Sequence, residues 1–269
     1  MTMKKYRIYL MSLGFLILAA CSNPYKTHFV SVNEQMFSSY RFPIEQLAKN
    51  EIPKIYATDD MYSAEEALLE NGYILIGSSK FKSTYIDKKN AIAAAREKGA
   101  SIVVVKSRHT QTITETIPFS VRQPDQRTTV RETRYNNDGA ASVHEKTITV
   151  EGEYQTQYVQ KSTDYYDYQA TFWAKMRDIR LGLFVADLTN EQKYSMQTNR
   201  GVSVKIVIKD SPAFYADVLK GDIFTHFNDE RINERKHFFK MMSQHKGQEV
   251  TLKGFRNGNP LTVKVRISE

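Results

Sequence analysis

Between Arg180 and Glu269, short β-branched runs alternate with turn residues at close intervals, and this alternation leaves few folds open to the chain. Residues 201–208, 223–227, 250–255 and 261–267 read as strands. Leu181-Gly182-Leu183-Phe184 opens the segment. Gly182 lets neighbouring amides converge, so the N–H groups of Gly182, Leu183 and Phe184 can form a nest for a carboxylate. Leu183-Phe184-Val185 would continue as an edge strand able to accept an extended peptide. Ser211 is placed to cap a short helix with Pro212 at its first position. Gly221-Asp222 suits a tight turn before Ile223. Asn233 is placed to cap a last helix, 234–245, that presents Phe238, Met241, Met242 and His245. Gly247 ends it, and Asn257-Gly258-Asn259 closes a final hairpin.

Five pieces in order then carry a resemblance. They are Leu181-Gly182-Leu183, Gly201 to Ile208, Ser211-Pro212-Ala213, Leu219-Lys220-Gly221-Asp222-Ile223, and Phe227-Asn228-Asp229-Glu230-Arg231-Ile232. Together they resemble a PDZ domain of the bacterial HtrA/Deg type, over residues 179–269. The resemblance implies that a peptide C-terminus docks between the Leu183 strand and the last helix. Its carboxylate would meet the amides of Gly182, Leu183 and Phe184. Leu181, Val185, Phe238, Met241, Met242 and His245 would line the groove. Leu183, Phe238, Met241 and Met242 either form the pocket for the last side chain or are core. Two departures stand out. Asp217-Val218 replaces the Ala-Gly often found there, and Phe214 and Tyr215 are bulkier than usual, which suits an interface with the preceding domain.

The beginning of the chain carries a different signal. Lys4, Lys5 and Arg7 precede an apolar run, Ile8 to Leu18, too short to span a bilayer comfortably. Leu18-Ala19-Ala20-Cys21 follows, and it resembles the lipobox of bacterial lipoproteins. The resemblance implies cleavage before Cys21 and acylation of that residue. Cys21 is the one cysteine in the chain, and lipidation accounts for an otherwise odd thiol. Multiple acyl chains would hold the protein stably on a bilayer. Ser22, rather than Asp, follows; by enterobacterial sorting rules this implies the outer membrane, facing the periplasm. Of the formal charge of +8, three positive charges lie in the first seven residues, which leaves +5. Without a clustered basic face, nucleic acid is not an expected partner.

The middle of the chain reads as α/β. Residues 21–52 are expected as a tether, with an ordered first strand as the alternative. Residues 53–178 read as a βαβ-type domain: strand 54–57, a helix capped by Ser63, strand 73–77, a helix 88–98 capped by Asp87, and strand 101–105. The alanine face of the second helix would let it lie close to a sheet. Residues 108–160 are an insertion, polar on both faces. They read either as an antiparallel β-ribbon, turning at a two-residue Asp138-Gly139 hairpin, or as an unstructured segment. Tyr166 to Lys175 alternates as a half-buried strand. Trp173 falls on its polar side, where it would cover a domain seam or meet the ribbon. No linker separates this strand from Leu181, so the two domains are expected to be closely coupled.

No Gly-x-Ser-Gly-Gly or Gly-x-Ser-x-Gly is present, and none of the six histidines has metal-ligand or triad spacing. No cofactor, metal or catalytic activity is expected. The expected role is a membrane-anchored, non-catalytic peptide-binding lipoprotein. It would recruit or sense cell-envelope proteins through C-terminal or extended peptides. The alternative is a structural assembly protein that associates by strand addition through the ribbon.

Overall fold

The computed structural model describes residues 22–32, 43–48 and 50–269. The expected signal segment and Cys21 lie outside them. The described chain mixes helices with many strands, the α/β class expected. Its contacts divide it into two units. One takes the residues up to Lys82, Ile86–Arg108 and Asp167–Glu269; the other takes Ser83–Tyr85 and His109–Tyr166.

In the first unit, part of the expected tether is ordered. Asn23 caps a one-turn helix, α1 (Pro24–Thr27), and β1 (Phe29–Ser31) follows. Next come β2 (Lys54–Ala57), α2 (Met61–Glu70), β3 (Tyr73–Ser83), α3 (Lys88–Glu97), β4 (Ile102–Arg122) and, after the ribbon, β7 (Tyr154–Lys175). The sheet order is β1-β3-β7-β4-β2, with β2 and β4 parallel and β1 antiparallel to β3. The alternation expected of a βαβ unit is present, but β7 separates β3 from β4. Residues 170–174 of β7 are all buried, and burial on both faces suits a central strand.

Two local expectations are corrected. Helix α2 starts one turn early: Asp60, not Ser63, is the cap, taking the Ser63 N–H at 3.1 Å and its hydroxyl at 2.6 Å. These bonds hold the Asp60 carboxyl below its ordinary range. Trp173 covers no seam. It packs with Ile102 and Val104 under Met61, Ala64, Leu68 and Leu69, and its indole N–H donates to Thr171 Oγ1 at 3.0 Å. Helix α3 begins at Asp87 as expected, with Ala91, Ala94 and Ala95 fully buried. The N-terminal segment is fastened by aromatic rings. Tyr25 meets Phe81 edge-on at 4.9 Å, Phe81 stacks on Tyr168 at 5.2 Å, and Phe29 meets Phe172. Burial, with the Tyr168 phenol second, pushes the Tyr25 phenol up to about 12. Gly77 is required where β1 pairs with β3, because a Cβ there would lie 2.2 Å from the Phe29 ring.

The second unit contains β5 (Gln126–Tyr135) and β6 (Ala141–Val150), paired from Gln126↔Val150 to Tyr135↔Ala141. The turn is longer than the two residues expected. Asn136 to Ala140 form a loop, closed by Asn136 N–H donating to the Ala140 carbonyl at 2.9 Å. Cross-strand bonds such as Arg131 to Glu145 at 2.5 Å link polar side chains.

The C-terminal part of the first unit is β8 (Leu183–Asp187), α4 (Asn190–Ser195), β9 (Val202–Val207), α5 (Pro212–Tyr215), β10 (Ile223–Phe227), β11 (Glu230–Arg231), α6 (Arg235–Gln244), β12 (Glu249–Arg256) and β13 (Asn259–Arg266). The sheet runs β13-β12-β10-β9-β8, with β11 beside β10. Ser211 caps α5 as expected, and Asn257 and Gly258, at φ +50° and +82°, turn the last hairpin. Thr189 and Gln192 form a capping box that starts α4, a short helix the sequence reading passed over.

Asp222 ties this part together. Its carboxylate is buried and takes two bonds from the Arg256 guanidinium, each 2.7 Å, and one from the Leu219 N–H at 2.9 Å. A third Arg256 bond reaches the Asp217 carbonyl at 2.6 Å. Removing one partner of such a pair leaves an uncompensated charge. Asp222→Ala leaves the Leu219 N–H without its acceptor and the partly exposed Arg256 to water, and is expected to cost about 1–3 kcal/mol. The measurement is the urea unfolding midpoint, and a loss below 1 kcal/mol (roughly the worth of an exposed pair) would show that water screens the fork.

Candidate functional site

The loop before β8 is shaped by what its carbonyls bind. The Arg180 carbonyl accepts from Ser268 N–H at 3.1 Å, Leu181 from Ala213 N–H at 2.9 Å, and Gly182 from Ile208 N–H at 2.8 Å. In a trans peptide each N–H points opposite to the preceding carbonyl. The amides of Leu181, Gly182 and Leu183 therefore turn away from these three partners. For Leu183 this means the side away from β9, which is the free edge of the sheet, because β8 is its last strand. Peptide groups alternate along a strand, so the Phe184 amide turns back toward β9. The Leu183 amide thus faces the free edge, those of Leu181 and Gly182 turn away from Ser268 and Ala213, and the Phe184 amide, expected beside those of Gly182 and Leu183, turns toward β9.

Gly182 is needed twice. Its φ of +82° belongs to the left-handed region, and a Cβ there would lie 2.1 Å from Ser211 Cβ. The close approach of Ser211 is also what lets the Leu181 carbonyl reach Ala213.

Helix α6 faces β8. Asn233 does not cap it, and Glu234 offers no side-chain bond. Instead Asp187, at the end of β8, accepts from the Arg235 N–H at 2.7 Å. No local spacing signals this cap, since the partners are 48 residues apart. The expected groove residues fall into two groups. Leu181, Leu183, Val185, Phe238, Met241 and Met242 are 0–5% exposed and belong to one core cluster. In this conformation these six side chains pack together in the core. His245 is half-buried, with Nδ1 2.8 Å from the Met241 carbonyl and its ring 5.2 Å from Phe227.

Phe184 has another role. Its side chain packs with Ile74, Ile76, Met176, Ile179 and Ile208, a cluster shared with the N-terminal sheet. Around it, Lys209 N–H donates to the Glu70 carbonyl at 2.8 Å, and Lys220 Nζ donates to Glu66. The Glu66 bond raises the Lys220 ammonium above its ordinary value. The bulky Phe214 and Tyr215, expected to serve this interface, are instead exposed, at 45% and 72%.

Among the described residues, no group of three or more His, Cys, Asp or Glu side chains converges as a metal site would require. The histidines have local partners: His237 lies 3.2 Å from Glu230, and His226 contacts Thr225 at 3.0 Å.

Comparison with known proteins places this geometry. Residues 180–267 match the family model described as PDZ domain. Over 91 residues the chain is 34% identical to a probable periplasmic serine endoprotease, DegP-like, of Pseudomonas putida. It is equally similar to the corresponding protein of Pseudomonas savastanoi pv. phaseolicola. The match covers 34% of this chain and 19% of each relative, so the chain spans about a fifth of their length. Among solved structures, an HtrA-type protease, AlgW with decapeptide, is similar at 20% identity and a TM-score of 0.28, covering 36% of each chain. A PDZ domain protein from Parabacteroides distasonis covers 90% of this chain and 76% of its own, at 10% identity and a TM-score of 0.20. The similarity to the DegP-like proteins is confined to one region: the C-terminal residues 180–267 of this chain are a PDZ domain.

Proposed function

We propose that this protein is a non-catalytic peptide-binding lipoprotein of the cell envelope. Acylated Cys21 would hold it to the outer membrane, facing the periplasm. Its PDZ domain would take protein C-termini or extended peptides along β8, opposite α6. The observation that carries the reading is the unpaired edge of β8, toward which the Leu183 amide faces at the end of a loop fastened through the carbonyls of Arg180, Leu181 and Gly182. A peptide added there would gain main-chain bonds from the strand and a carboxylate nest from the loop. Its last side chain would enter between Leu183 and α6, where Met241 and Met242 are packed closed. Unbranched thioether side chains change rotamer at low cost, so these two are the residues to move. The DegP-like relatives are named periplasmic, which supports the compartment.

Binding should depend on the free carboxylate of the peptide. Fluorescence anisotropy with a peptide selected from a library is expected to show about a tenfold or greater loss on amidating its C-terminus, the effect of about 1.4 kcal/mol. Equal affinity for both forms would sink the nest. The anchor has its own test. Cells fed a labelled fatty acid should incorporate it into the wild-type protein and not into Cys21→Ala. Label retained in the variant would place the lipid elsewhere or remove it from the account.

A second reading is assembly by strand addition through β5 and β6. It is favoured by the exposure of Val130, Val143, Ile148 and Val150 on a two-stranded sheet, an arrangement only marginally stable by itself. Deleting residues 123–151 should then lower the oligomeric mass measured by light scattering. An unchanged mass would count against assembly through this hairpin.

A further inference from the structure

Beyond the end of β8 lies a cleft of about 600 Å³ with no carboxylate in its lining. Lys193 and Tyr194 of α4 form one wall, Thr198 and Arg200 the loop that follows, and Arg231 of β11 the other side. The cleft is held open by backbone geometry. Gln197 turns the loop at φ +47°, Thr198 N–H donates to the Lys193 carbonyl at 3.1 Å, and the Thr198 hydroxyl accepts from Arg200 N–H at 3.2 Å and from Arg231 Nη2 at 3.1 Å. Tyr194 is 85% exposed, a ring standing in water beside three cations. Carboxylates do stand nearby, but outside the lining: Asp187 is engaged by the Arg235 N–H, and Glu230 lies 3.2 Å from His237.

The position of the cleft along β8 gives it a meaning. A peptide added antiparallel to β8, with its carboxylate at Gly182, runs back toward Asp187. At ~3.3 Å per residue it passes Asp187 after about five residues. Asn190, three positions beyond Asp187, already belongs to the cleft. The upstream part of the same peptide would therefore leave β8 at the α4 end of the cleft, which Asn190 and Lys193 line together with Arg200 and Arg231.

We infer that this cleft selects ligands by charge, binding an acidic stretch about five to eight residues before the peptide's C-terminus. The inference rests on the proposed peptide-end binding along β8 and adds to it the chemical class of partner: envelope proteins with acidic residues upstream of an apolar end. Three cations without a lining counter-charge favour Asp and Glu there and disfavour Lys and Arg. Because the cleft is open to water, the attraction should weaken as salt rises.

The experiment displays random peptides with free carboxyl ends and selects them with the protein spanning residues 22–269. The selection is repeated with Arg200→Gln/Arg231→Gln and with Lys193→Gln. Thermal melts of the variants check that each remains folded. The expected result is enrichment of Asp and Glu upstream in the wild-type selection. That enrichment should disappear for the double variant while the preference at the last residue persists. For an acidic wild-type ligand, the double substitution should cost about three- to tenfold in affinity, and none for a ligand with Gln in those places. A last-residue preference without upstream acidic enrichment overturns the inference and leaves peptide-end binding standing. Upstream enrichment that survives all the substitutions also overturns it. Selection of peptides without any preference at their carboxyl end defeats both readings together.

Discussion

Three consecutive carbonyls, those of Arg180, Leu181 and Gly182, are each fastened to a different part of the PDZ domain: the chain end at Ser268, the start of α5 at Ala213, and the end of β9 at Ile208. Peptide planarity then turns the opposing amides away from those partners. A backbone turned this way, at positive φ and against Ser211, tolerates only glycine in its middle. The residues that make the loop rigid are therefore distributed over some ninety positions of sequence, although its visible signature is only four residues long. Preorganisation of this kind matters for binding, because amides already held in place cost no ordering when a ligand arrives.

The same loop leads directly into the contact between the two parts of the first unit. Leu183 points into the PDZ core, and its neighbour Phe184 packs against Ile74 and Met176 from the N-terminal sheet. Strand alternation sends adjacent side chains to opposite faces, so one short strand serves both clusters. A ligand that shifts β8 would be felt at Phe184 and thus at the sheet. The ion pairs around it, Lys220 with Glu66 and Lys209 with Glu70, are exposed and contribute little beside the apolar contact.

Much of the fold was legible because its signals are local. Asp87 at the start of α3, Ser211 with Pro212 at α5, and Asn257-Gly258 at the last turn each act within a few residues of where they stand. Where the reading went astray, a competing residue or a distant strand decided the outcome. Asp60 outcompeted Ser63 as a cap because its two oxygens satisfy both the N–H and the hydroxyl of Ser63. Trp173 looked polar-faced because Thr171 and Lys175 flank it at two-residue spacing, but α2 covers that face of the sheet. The ribbon turn took five residues where Asp138-Gly139 suggested two, through the closure of Asn136 on Ala140. At the site, carbonyl partners far along the chain set the direction of each amide, so no spacing within the loop reports it.

By itself, the sequence determined the class of fold, the PDZ domain and the glycine on which the loop turns. The class and the glycine follow from propensities, spacing and the conformational range of single residues, while the PDZ domain rests on the resemblance of five short pieces in order. Only the tertiary structure decided that Phe238, Met241 and Met242 fill the core, that Asp187 caps α6 across the fold, and that Lys193, Arg200 and Arg231 share one cleft. Each depends on which segments become neighbours, and that depends on how all the strands and helices are packed together.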